Sequence, residues 1–367
     1  MVKNHKSNEV AYIDHEVRYI MKIGNRKIDK GEPVYIIAEL SANHNGSLER
    51  ALEIIRAAAD SGADAVKLQT YTADTLTLKC DNDCFRIGKG TVWEGKTLYE
   101  LYADAYTPWE WHRVLKKEAE TLGMDCFSSP FDFSSVDFLE KLDVPAYKIA
   151  SFELVDIPLI KYAASKGKPV IMSTGMATDD EIKDAVEAVH STGNRDLALL
   201  KCTSAYPALP KDMNLKTIPD IAERFGVTVG LSDHTLTNDV SIASVALGGS
   251  IIEKHITLSR ADGGHDAGFS LEPAEFADMV KSVRTVEKAL GKVCYSGTEK
   301  EKALRQFRRS IFAVEDIKKG ELFTNDNIRS IRPGNGLPPK HYEEIIAKFA
   351  KCDIKRGTPL SWDMINK

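Results

Sequence analysis

Cysteine is scarce in this sequence, and the cysteines lie far apart. Six cysteines in 367 residues indicate reduced thiols rather than a disulfide scaffold. Cys80 and Cys84 form the one close pair, in the stretch CDNDC. No second cysteine or histidine pair follows nearby, so a zinc site is not expected there.

Long apolar runs and a surplus of positive charge are missing as well. No run approaches the roughly 18 apolar residues that span a bilayer, and the first twenty residues lack the apolar segment of a signal peptide. The 49 Lys and Arg against 54 Asp and Glu give a net charge of -5, which disfavours polyanion binding. We therefore expect a cytoplasmic protein with no nucleic acid and no membrane as partner.

The sequence does contain a regular alternation of short β-branched apolar runs and longer segments with helical spacing. One helix is predicted to follow Ser47 and end at Gly62, and another to follow Asp179 or Asp180 and end at Gly193. Eight such alternations predict an α/β protein with a closed (β/α)8 TIM barrel rather than an open doubly wound sheet. The predicted strands are 34–40, 65–70, 125–131, 146–151, 169–174, 197–204, 228–235 and 251–257.

Every predicted strand ends in polar side chains. In a (β/α)8 barrel the carboxyl ends of all strands meet on one face, where the loops build the active site. For any single serine the alternative of a helix cap or a solvent-exposed strand end stays open. The complete set favours an active site: Glu39, Lys67 with Gln69, Ser128 with Ser129, Lys148 with Ser151, Ser173, Ser204, Ser232 with His234, and Lys254 with His255.

Lysines and serines of this set form a candidate anion site. Ammonium and hydroxyl donors suit a small, doubly anionic ligand such as a phosphorylated carboxylate. The alternative for either lysine is an ion pair with a barrel glutamate, because an unpaired buried lysine is costly. Glu39 or Glu153 could act as general acid or base, or pair with a lysine. The candidate anion site consists of Lys67, Ser129, Lys148, Ser151, Ser173, Ser204 and Ser232.

Two histidines end neighbouring predicted strands. His234 and His255 could share one divalent cation, with carboxylates or water completing the shell. With no third Cys or His nearby, an open shell that polarises a carbonyl or activates water is favoured over a structural zinc.

The end of the chain has a different sequence pattern. The stretch DIKKGELFTNDNI (316–328) returns as DIKRGTPLSWDMI (353–365), an internal pseudo-repeat that predicts a small, mostly β module. We expect an extension over 1–20, a barrel over 21–295, a linker over 296–308 and the module over 309–367.

Eight motifs resemble the sialic acid synthase family, and the likeness covers nearly everything from about residue 20 to the end of the chain. They are IIAELSANHNGSLERALEIIRAAADSGADAVKLQTYT, FSSPFD, PAYKIASFE, KPVIMSTGMAT, KCTSAYPA, VGLSDHTL, IIEKHITL and IRPGNGLPP. Within the family, the branch that makes pseudaminic acid is most similar, through ELSANHN, TYTADTLTL, LYELYADAYTPWEWH, SSPFDFSSVDFLEKL and FRRSIF.

The resemblance implies an enzyme that condenses phosphoenolpyruvate with an N-acetylated hexose to give a nonulosonic acid, with a role in flagellin glycosylation. It places phosphoenolpyruvate in the candidate anion site and a divalent metal, usually Mn²⁺ with Mg²⁺ or Co²⁺ as alternatives, on His234 and His255. Glu39 would guide the attacking water or the transferred proton. The terminal module resembles the antifreeze-like (SAF) domain, which implies a domain-swapped homodimer whose Arg332 caps the partner's sugar site. Sugar contacts are implied for Gln69, Glu153, Tyr206 and Asp266.

A few positions depart from the family pattern. Ser129 and Ser204 replace Thr or Asn of some neuraminate synthases, and Phe152 replaces Gly, which favours a less hydroxylated sugar than N-acetylmannosamine. His265 stands where the pseudaminate branch usually has Pro, and a sugar contact, a metal contact and a neutral change all stay open.

Other functions remain as alternatives. The nearest is a sister synthase that makes legionaminic or N-acetylneuraminic acid. A second is a metal-independent aldolase with Lys148 or Lys67 as Schiff base. A third is a binding protein for ice or glycans, although 306–367 holds only Thr324 and Thr358, too few for a flat threonine face.

Overall fold

The computed structural model describes residues 20–88 and 94–366, and the chain divides into two units after Gly291. Of the predicted extension over 1–20, all but the last residue lies outside the described residues. No helix in the described ranges is long and apolar enough to cross a bilayer.

Eight parallel strands of the first unit close into a barrel, which confirms the predicted fold. Each strand pairs with the next along the chain, and the last pairs with the first: Ile251 lies opposite Tyr35 and His255 opposite Glu39. Every strand of the barrel lies inside a predicted run. The strands are β3 Tyr35–Glu39, β4 Ala65–Thr70, β5 Asp125–Pro130, β6 Tyr147–Ile149, β7 Val170–Ser173, β8 Leu197–Cys202, β9 Thr228–Asp233 and β10 Ile251–His255.

Helices connect these strands and bury one apolar face each. In the last of them, Phe276, Met279, Val280 and Val283 are buried, at the spacing of one helix face. The helices of the first unit are α1 Leu48–Asp60, α2 Ala73–Leu76, α3 Leu98–Ala105, α4 Trp109–Thr121, α5 Phe133–Lys141, α6 Ile157–Ala164, α7 Asp179–Ser191, α8 Thr217–Phe225, α9 Asp239–Ala246 and α10 Pro273–Leu290. Short 3₁₀ helices lie at Asp83–Phe85, Pro210–Asp212, Arg260–Asp262 and Ala267–Phe269.

Helix caps follow the sequence in one predicted case and depart from it in another. Ser47 caps α1, where its hydroxyl accepts from the N–H of Arg50. The predicted N-cap of α7, Asp179 or Asp180, is wrong, because the N-cap is Thr178 and Asp179 is the first helical residue. Thr178 and Glu181 form a reciprocal capping box, and the two aspartates lie in the first turn, where the helix dipole favours carboxylates.

A β-hairpin covers the amino-terminal end of the barrel. Its strands, β1 Met21–Ile23 and β2 Arg26–Ile28, pair antiparallel, and Ile23 and Ile28 are buried in the same core as the barrel strands. The Arg26 guanidinium lies 2.8 Å from the Asp64 carboxylate at the start of β4. The hairpin therefore closes the end of the barrel opposite to the predicted site.

The second unit has a hydrophobic core of its own. Strands β11 Ser310–Ala313 and β12 Ile328–Ile331 pair antiparallel, and the helical segments are α11 Glu299–Ala303, α12 Tyr342–Ile345 and the 3₁₀ turns Leu304–Phe307, Pro339–His341 and Trp362–Met364. Few residues are in regular strands, so the module is held largely by isolated bridges and turns.

The predicted pseudo-repeat is visible as a local two-fold pairing. Ile317 and Ile354 occupy equivalent positions of the two copies, and each donates its N–H to the carbonyl of the other at 2.8 Å. The aspartate before each isoleucine accepts a backbone N–H from the other copy, also at 2.8 Å. The repeat is thus the element that pairs the two halves of the module.

The barrel has no room for a side chain at Gly230 on β9. A Cβ there would lie 2.3 Å from the Ile251 carbonyl oxygen and 2.8 Å from Leu200 Cδ2. Because β10 cannot retreat without loss of ladder hydrogen bonds, we expect Gly230→Ala to lower the free energy of unfolding by about 3 kcal/mol, measured by urea denaturation. The control is Gly268→Ala, where a Cβ would contact nothing within 4 Å. Its free energy of unfolding should change by less than about 0.5 kcal/mol. Equal stabilities of the two variants would refute the claim.

Candidate active site

A cavity of about 380 Å³ lies at the carboxyl ends of the barrel strands. Every barrel strand, or the residues directly after it, contributes to the lining. Eleven of the predicted site residues line it: Lys67, Gln69, Lys148, Ser151, Glu153, Ser173, Tyr206, Ser232, His234, His255 and Asp266. Three others contact residues of the lining: Glu39, Ser129 and Ser204.

The base of the cavity is a buried cluster of two lysines and two glutamates, called here the charged floor: Lys67, Lys148, Glu39 and Glu253. Lys67 Nζ lies 2.9 Å from Glu39 Oε2 and 3.3 Å from Glu253 Oε1, and its side chain is only 4% exposed. Burial alone would lower the pKa of the Lys67 amine, but the two carboxylates outweigh burial and raise this pKa. Lys67 therefore lines the cavity and is also ion-paired with barrel glutamates, which was the alternative interpretation of its sequence position.

Lys148 is held mainly by neutral partners. Its Nζ donates to Ser173 Oγ at 2.7 Å and to the Ile149 carbonyl at 2.9 Å, while Glu253 Oε2 is 3.8 Å away. Burial lowers the pKa of this amine. An additional anion in the cavity would offset that burial cost, because Lys148 shares its one carboxylate partner with Lys67.

Glu39 decides the net charge of the floor. Burial raises the pKa of its carboxyl to about 7, although Lys67 acts in the opposite direction. The pKa of Glu253, in contrast, is lowered, because its lysine neighbours outweigh its own burial. When Glu39 is protonated, one carboxylate faces two ammonium groups, and the floor carries the positive charge that an anionic ligand requires.

Glu253 is a site residue that the sequence reasoning missed. Strand alternation was the available signal, since Glu253 lies two residues before His255 and therefore on the same face of β10. The same alternation turns Lys254 away from the cavity. Lys254 Nζ donates instead to Asp233 Oδ2 at 2.6 Å in a fully buried ion pair, so its inclusion among the cavity-facing strand ends was wrong.

The predicted serines supply hydroxyls around the charged floor. Ser129 Oγ lies 3.3 Å from Lys67 Nζ, and Ser232 Oγ lies 3.4 Å from Glu253 Oε1. Ser151 and Ser204 share a hydrogen bond of 2.8 Å. Gly175 is required beside this pair, because a Cβ at its position would lie 2.3 Å from Ser151 Cβ.

The two predicted metal ligands are neighbours on one side of the cavity. The rings of His234 and His255 have centroids 5.3 Å apart. His234 Nδ1 lies 3.0 Å from the Thr203 carbonyl oxygen, which can only accept, so in the neutral imidazole Nδ1 carries the proton and Nε2 the lone pair. His255 Nδ1 is buried without a hydrogen-bond partner among the described residues.

This geometry fits an open metal shell. A carbonyl that holds one ring nitrogen while the other stays available is the usual support of a histidine ligand. Burial lowers the pKa of His255 well below its ordinary value, which keeps its imidazole neutral; at His234, burial acts in the same direction, but Cys202 outweighs it and raises the pKa. Within the described residues no group of three His, Cys, Asp or Glu side chains is arranged for a metal, so substrate or water would complete the shell.

Two of the predicted sugar-contacting residues, Gln69 and Asp266, belong to a hydrogen-bonded chain beside the floor. Gln69 Nε2 donates to Glu39 Oε1 at 3.0 Å and to Ser41 Oγ at 3.1 Å, and Ser41 Oγ donates to Asp266. Glu153 lines the cavity, and one of its carboxylate oxygens is buried without a hydrogen-bond partner among the described residues. Ser41 is a second residue that the sequence reasoning missed.

Tyr206 and two residues that depart from the family pattern also line the cavity. The Tyr206 ring lies 4.6 Å from the His234 ring, between centroids. Phe152 lines the mouth and is 60% exposed. His265 lines the cavity too, but it does not complete a three-residue metal group with His234 and His255.

Another part of the lining is apolar. The segment between β4 and β5 carries α3, and Phe131 follows β5 directly; none of these positions was selected from the sequence. Apolar side chains at helical spacing give no chemical signal, so the sequence did not mark them as site residues. This apolar wall consists of Tyr71, Leu98, Leu101, Tyr102, Ala105 and Phe131.

Arg332 is the one predicted site residue outside the barrel unit. It follows β12 in the second unit, directly before Pro333. Its role toward a partner's site stays a prediction.

Known proteins are similar to this chain over nearly its whole length. The NeuB family model matches residues 54–295, and the SAF domain model matches residues 308–366. A pseudaminic acid synthase of Campylobacter jejuni is 49% identical over 340 residues, which cover 93% of this chain and 98% of that protein. An N,N'-diacetyllegionaminic acid synthase of Legionella pneumophila is 37% identical, over 93% of this chain and 99% of that protein.

A solved structure supports the fold. The N-acetylneuraminic acid synthetase from Leptospira borgpetersenii, in complex with citrate, matches with a TM-score of 0.70 and 32% identity, over 79% of this chain and 96% of that chain.

The charged floor should respond strongly to the loss of one member. Lys67→Met leaves Glu39 and Glu253 without their shared cation, so we expect the free energy of unfolding to fall by about 3 kcal/mol in urea denaturation. Glu253→Gln in the Lys67→Met background should cost less than the sum of the two single changes, because the orphaned charge is gone. Strict additivity of the two changes would contradict a coupled cluster.

Glu153 should make stability depend on pH. Burial raises the pKa of its carboxyl to about 7, above the value in an unfolded chain, so the folded state retains the proton longer. The free energy of unfolding of the wild type should therefore fall as pH rises from about 4.5 to 7. Glu153→Gln lacks this loss, so its free energy of unfolding relative to the wild type should increase by about 2 kcal/mol between pH 5 and pH 8. Urea denaturation at both pH values measures it, and a constant difference would exclude the raised pKa.

Proposed function

This chain belongs to the NeuB family, and on that premise we propose that it condenses phosphoenolpyruvate with 2,4-diacetamido-2,4,6-trideoxy-L-altrose and water to give pseudaminic acid and phosphate. The identity of 49% with a pseudaminic acid synthase, against 37% with a legionaminic acid synthase, supports this sugar over the sister branch.

The observation that carries the proposal is the position of the charged floor at the strand ends. Lys67 and Lys148 are buried beside only one strongly acidic carboxylate, Glu253, and serine hydroxyls surround them. Phosphoenolpyruvate carries a phosphate and a carboxylate on a three-carbon frame, so it supplies the missing negative charge. Both lysines then face the phosphate or carboxylate through charge-assisted hydrogen bonds.

The reaction forms one carbon–carbon bond and breaks one carbon–oxygen bond. C3 of phosphoenolpyruvate attacks the aldehyde carbon of the open-chain sugar, and the aldehyde oxygen takes up a proton. Water adds to C2 and gives up a proton, and phosphate then leaves with the bridging oxygen. Positive charge from the floor lowers the barrier, because negative charge accumulates on the departing phosphate.

Glu39 and its neighbours suit the proton transfers. A carboxyl whose pKa is about 7 can accept the proton of water and donate it again near neutral pH. Gln69 and Ser41 connect Glu39 to Asp266 through hydrogen bonds, so these four side chains can orient sugar hydroxyls beside the reacting carbon. Glu153 offers a further partly protonated carboxyl.

His234 and His255 would hold a divalent cation, for which we propose Mn²⁺, with Mg²⁺ or Co²⁺ as alternatives. When bound, such a cation supplies Lewis acidity toward the sugar carbonyl. The aldehyde of the sugar would then lie on the side of the cavity where the two imidazoles are.

Three further parts of the proposal follow the family. We propose a domain-swapped homodimer in which Arg332 caps the partner's sugar site. We propose the cytoplasm as the place of reaction, because phosphoenolpyruvate is a cytoplasmic metabolite. Use of the product for flagellin glycosylation stays a prediction.

A Schiff-base aldolase is the rival with different chemistry. It needs a neutral amine, whereas the pKa of Lys67 is raised; the pKa of Lys148 is lowered by burial, which leaves it as the candidate. Borohydride reduction with pyruvate would trap Lys148 in an aldolase and leave a phosphoenolpyruvate synthase unmodified.

The proposed function is tested by phosphate release from phosphoenolpyruvate with three sugars in parallel. These are the altrose derivative, the corresponding precursor of legionaminic acid, and N-acetylmannosamine. We expect release with the altrose derivative; release with only another sugar would move the specificity to a sister synthase, and no release with any would overturn the synthase assignment.

Metal binding can be measured apart from turnover. After treatment with EDTA and gel filtration, added Mn²⁺ should bind at one site per chain. The loss of the EPR signal of free Mn²⁺ measures this binding. Phosphate release should depend on the added Mn²⁺. His255→Gln should weaken Mn²⁺ binding at least about tenfold, because one of two protein ligands is lost. The control is His190→Gln in the last turn of α7, which does not line the cavity; unchanged binding in His255→Gln would refute the site.

A further inference from the structure

The cavity has two chemically different parts. The charged floor and its serines lie at the strand ends, whereas the apolar wall comes from α3 and from the residues that follow β4 and β5. The floor accounts for phosphoenolpyruvate in the proposed function, so the wall is left to contact the second substrate. What the wall can recognise therefore bears on the choice of sugar.

Helix α3 presents one continuous face to the cavity. Leu98, Leu101, Tyr102 and Ala105 all line it, and their spacing of i, i+3, i+4 and i+7 is that of a single helix face. Thr97 fixes the start of the helix through a reciprocal capping box with Glu100. The wall is thus part of a defined helix and not a loose loop.

Aromatic contacts hold the helix face in place. The Tyr71 ring packs edge-on against Tyr102 and against Phe131, with centroids 5.7 Å and 5.2 Å apart. Leu101 and Ala105 are buried. These contacts tie α3 to the residues that follow β4 and β5, so the position of the wall is set by the barrel.

A wall of this kind discriminates against hydroxyl groups. A hydroxyl that leaves water for contact with leucine and aromatic carbon loses hydrogen bonds, whereas a methyl group gains apolar contact. Besides its configuration, the proposed altrose derivative differs from N-acetylmannosamine in two substituents. A methyl group replaces the hydroxymethyl group at C5, and an acetamido group replaces the hydroxyl at C4. Each change removes a hydroxyl and presents a methyl group.

We propose that the α3 face is the specificity element of the site, and that it selects sugars by apolar contact with the C6 methyl and acetamido methyl groups. This inference rests on the proposed function and adds the residues that choose the sugar. It assigns the choice to Leu98, Leu101 and Tyr102 rather than to the hydrogen-bonding residues beside the floor.

Competition between two sugars tests the inference. The enzyme with Mn²⁺ and phosphoenolpyruvate receives an equimolar mixture of the altrose derivative and N-acetylmannosamine, and mass spectrometry measures the ratio of the two nonulosonic acids. Leu98→Ser and Leu101→Asn should each lower this ratio about tenfold, since one apolar contact of methyl size accounts for roughly that factor. The KM for phosphoenolpyruvate should stay unchanged.

Two control variants on the same helix separate specificity from folding. Leu101→Met retains apolar contact and should leave the ratio unchanged, and so should Ala103→Ser, which adds a hydroxyl at an exposed position. Leu98 is only half-buried, so Leu98→Ser reports on the wall even where Leu101→Asn disturbs folding, as judged by circular dichroism. If the ratio is unchanged in Leu98→Ser and Leu101→Asn while both fold and turn over, the inference is wrong. If the wild type converts neither sugar, the proposed function fails, and the inference with it.

Discussion

Two lysines and two glutamates buried at one end of the barrel are the constraint on which the rest of the site depends. Charged groups removed from water are tolerated only when opposite charges and hydrogen bonds compensate them. Lys67 obtains this compensation from Glu39 and Glu253, but Lys148 obtains it only partly. The remaining demand for negative charge makes the cavity a site for an anion rather than a sealed core.

Barrel geometry makes this arrangement possible. Parallel strands bring alternate side chains to one end, so residues far apart in sequence meet within hydrogen-bond distance. The hairpin β1–β2 closes the opposite end with apolar side chains, which leaves a single open end for substrates in the described unit. On that end, Glu39 links the charged floor to the Gln69, Ser41 and Asp266 chain, and the histidine pair lies beside Tyr206.

Much of this could be predicted from sequence, because strand ends and strand alternation are local signals. All eight barrel strands and the convergence of Lys67, Lys148, Ser173 and His255 follow from short apolar runs with polar ends. The errors arose where a local signal had two interpretations.

At Lys254, a polar strand end proved to face the helices, where Asp233 neutralises it. At Glu253, the reverse held: the carboxylate was passed over because its partners, Lys67 and Lys148, are remote in sequence. The α3 face could not be recognised at all, because an apolar helix stripe has the same pattern whether it packs against a core or lines a cavity.

The central claim is that the floor holds phosphoenolpyruvate for a condensation in which phosphate leaves with its bridging oxygen. The most direct test is ³¹P NMR of the phosphate released from phosphoenolpyruvate that carries ¹⁸O at the bridging position, with the altrose derivative as partner. The account predicts phosphate that retains the label, seen as an upfield isotope shift, together with equimolar sugar acid. Unlabelled phosphate accompanied by pyruvate would show cleavage of the phosphorus–oxygen bond and would contradict the account.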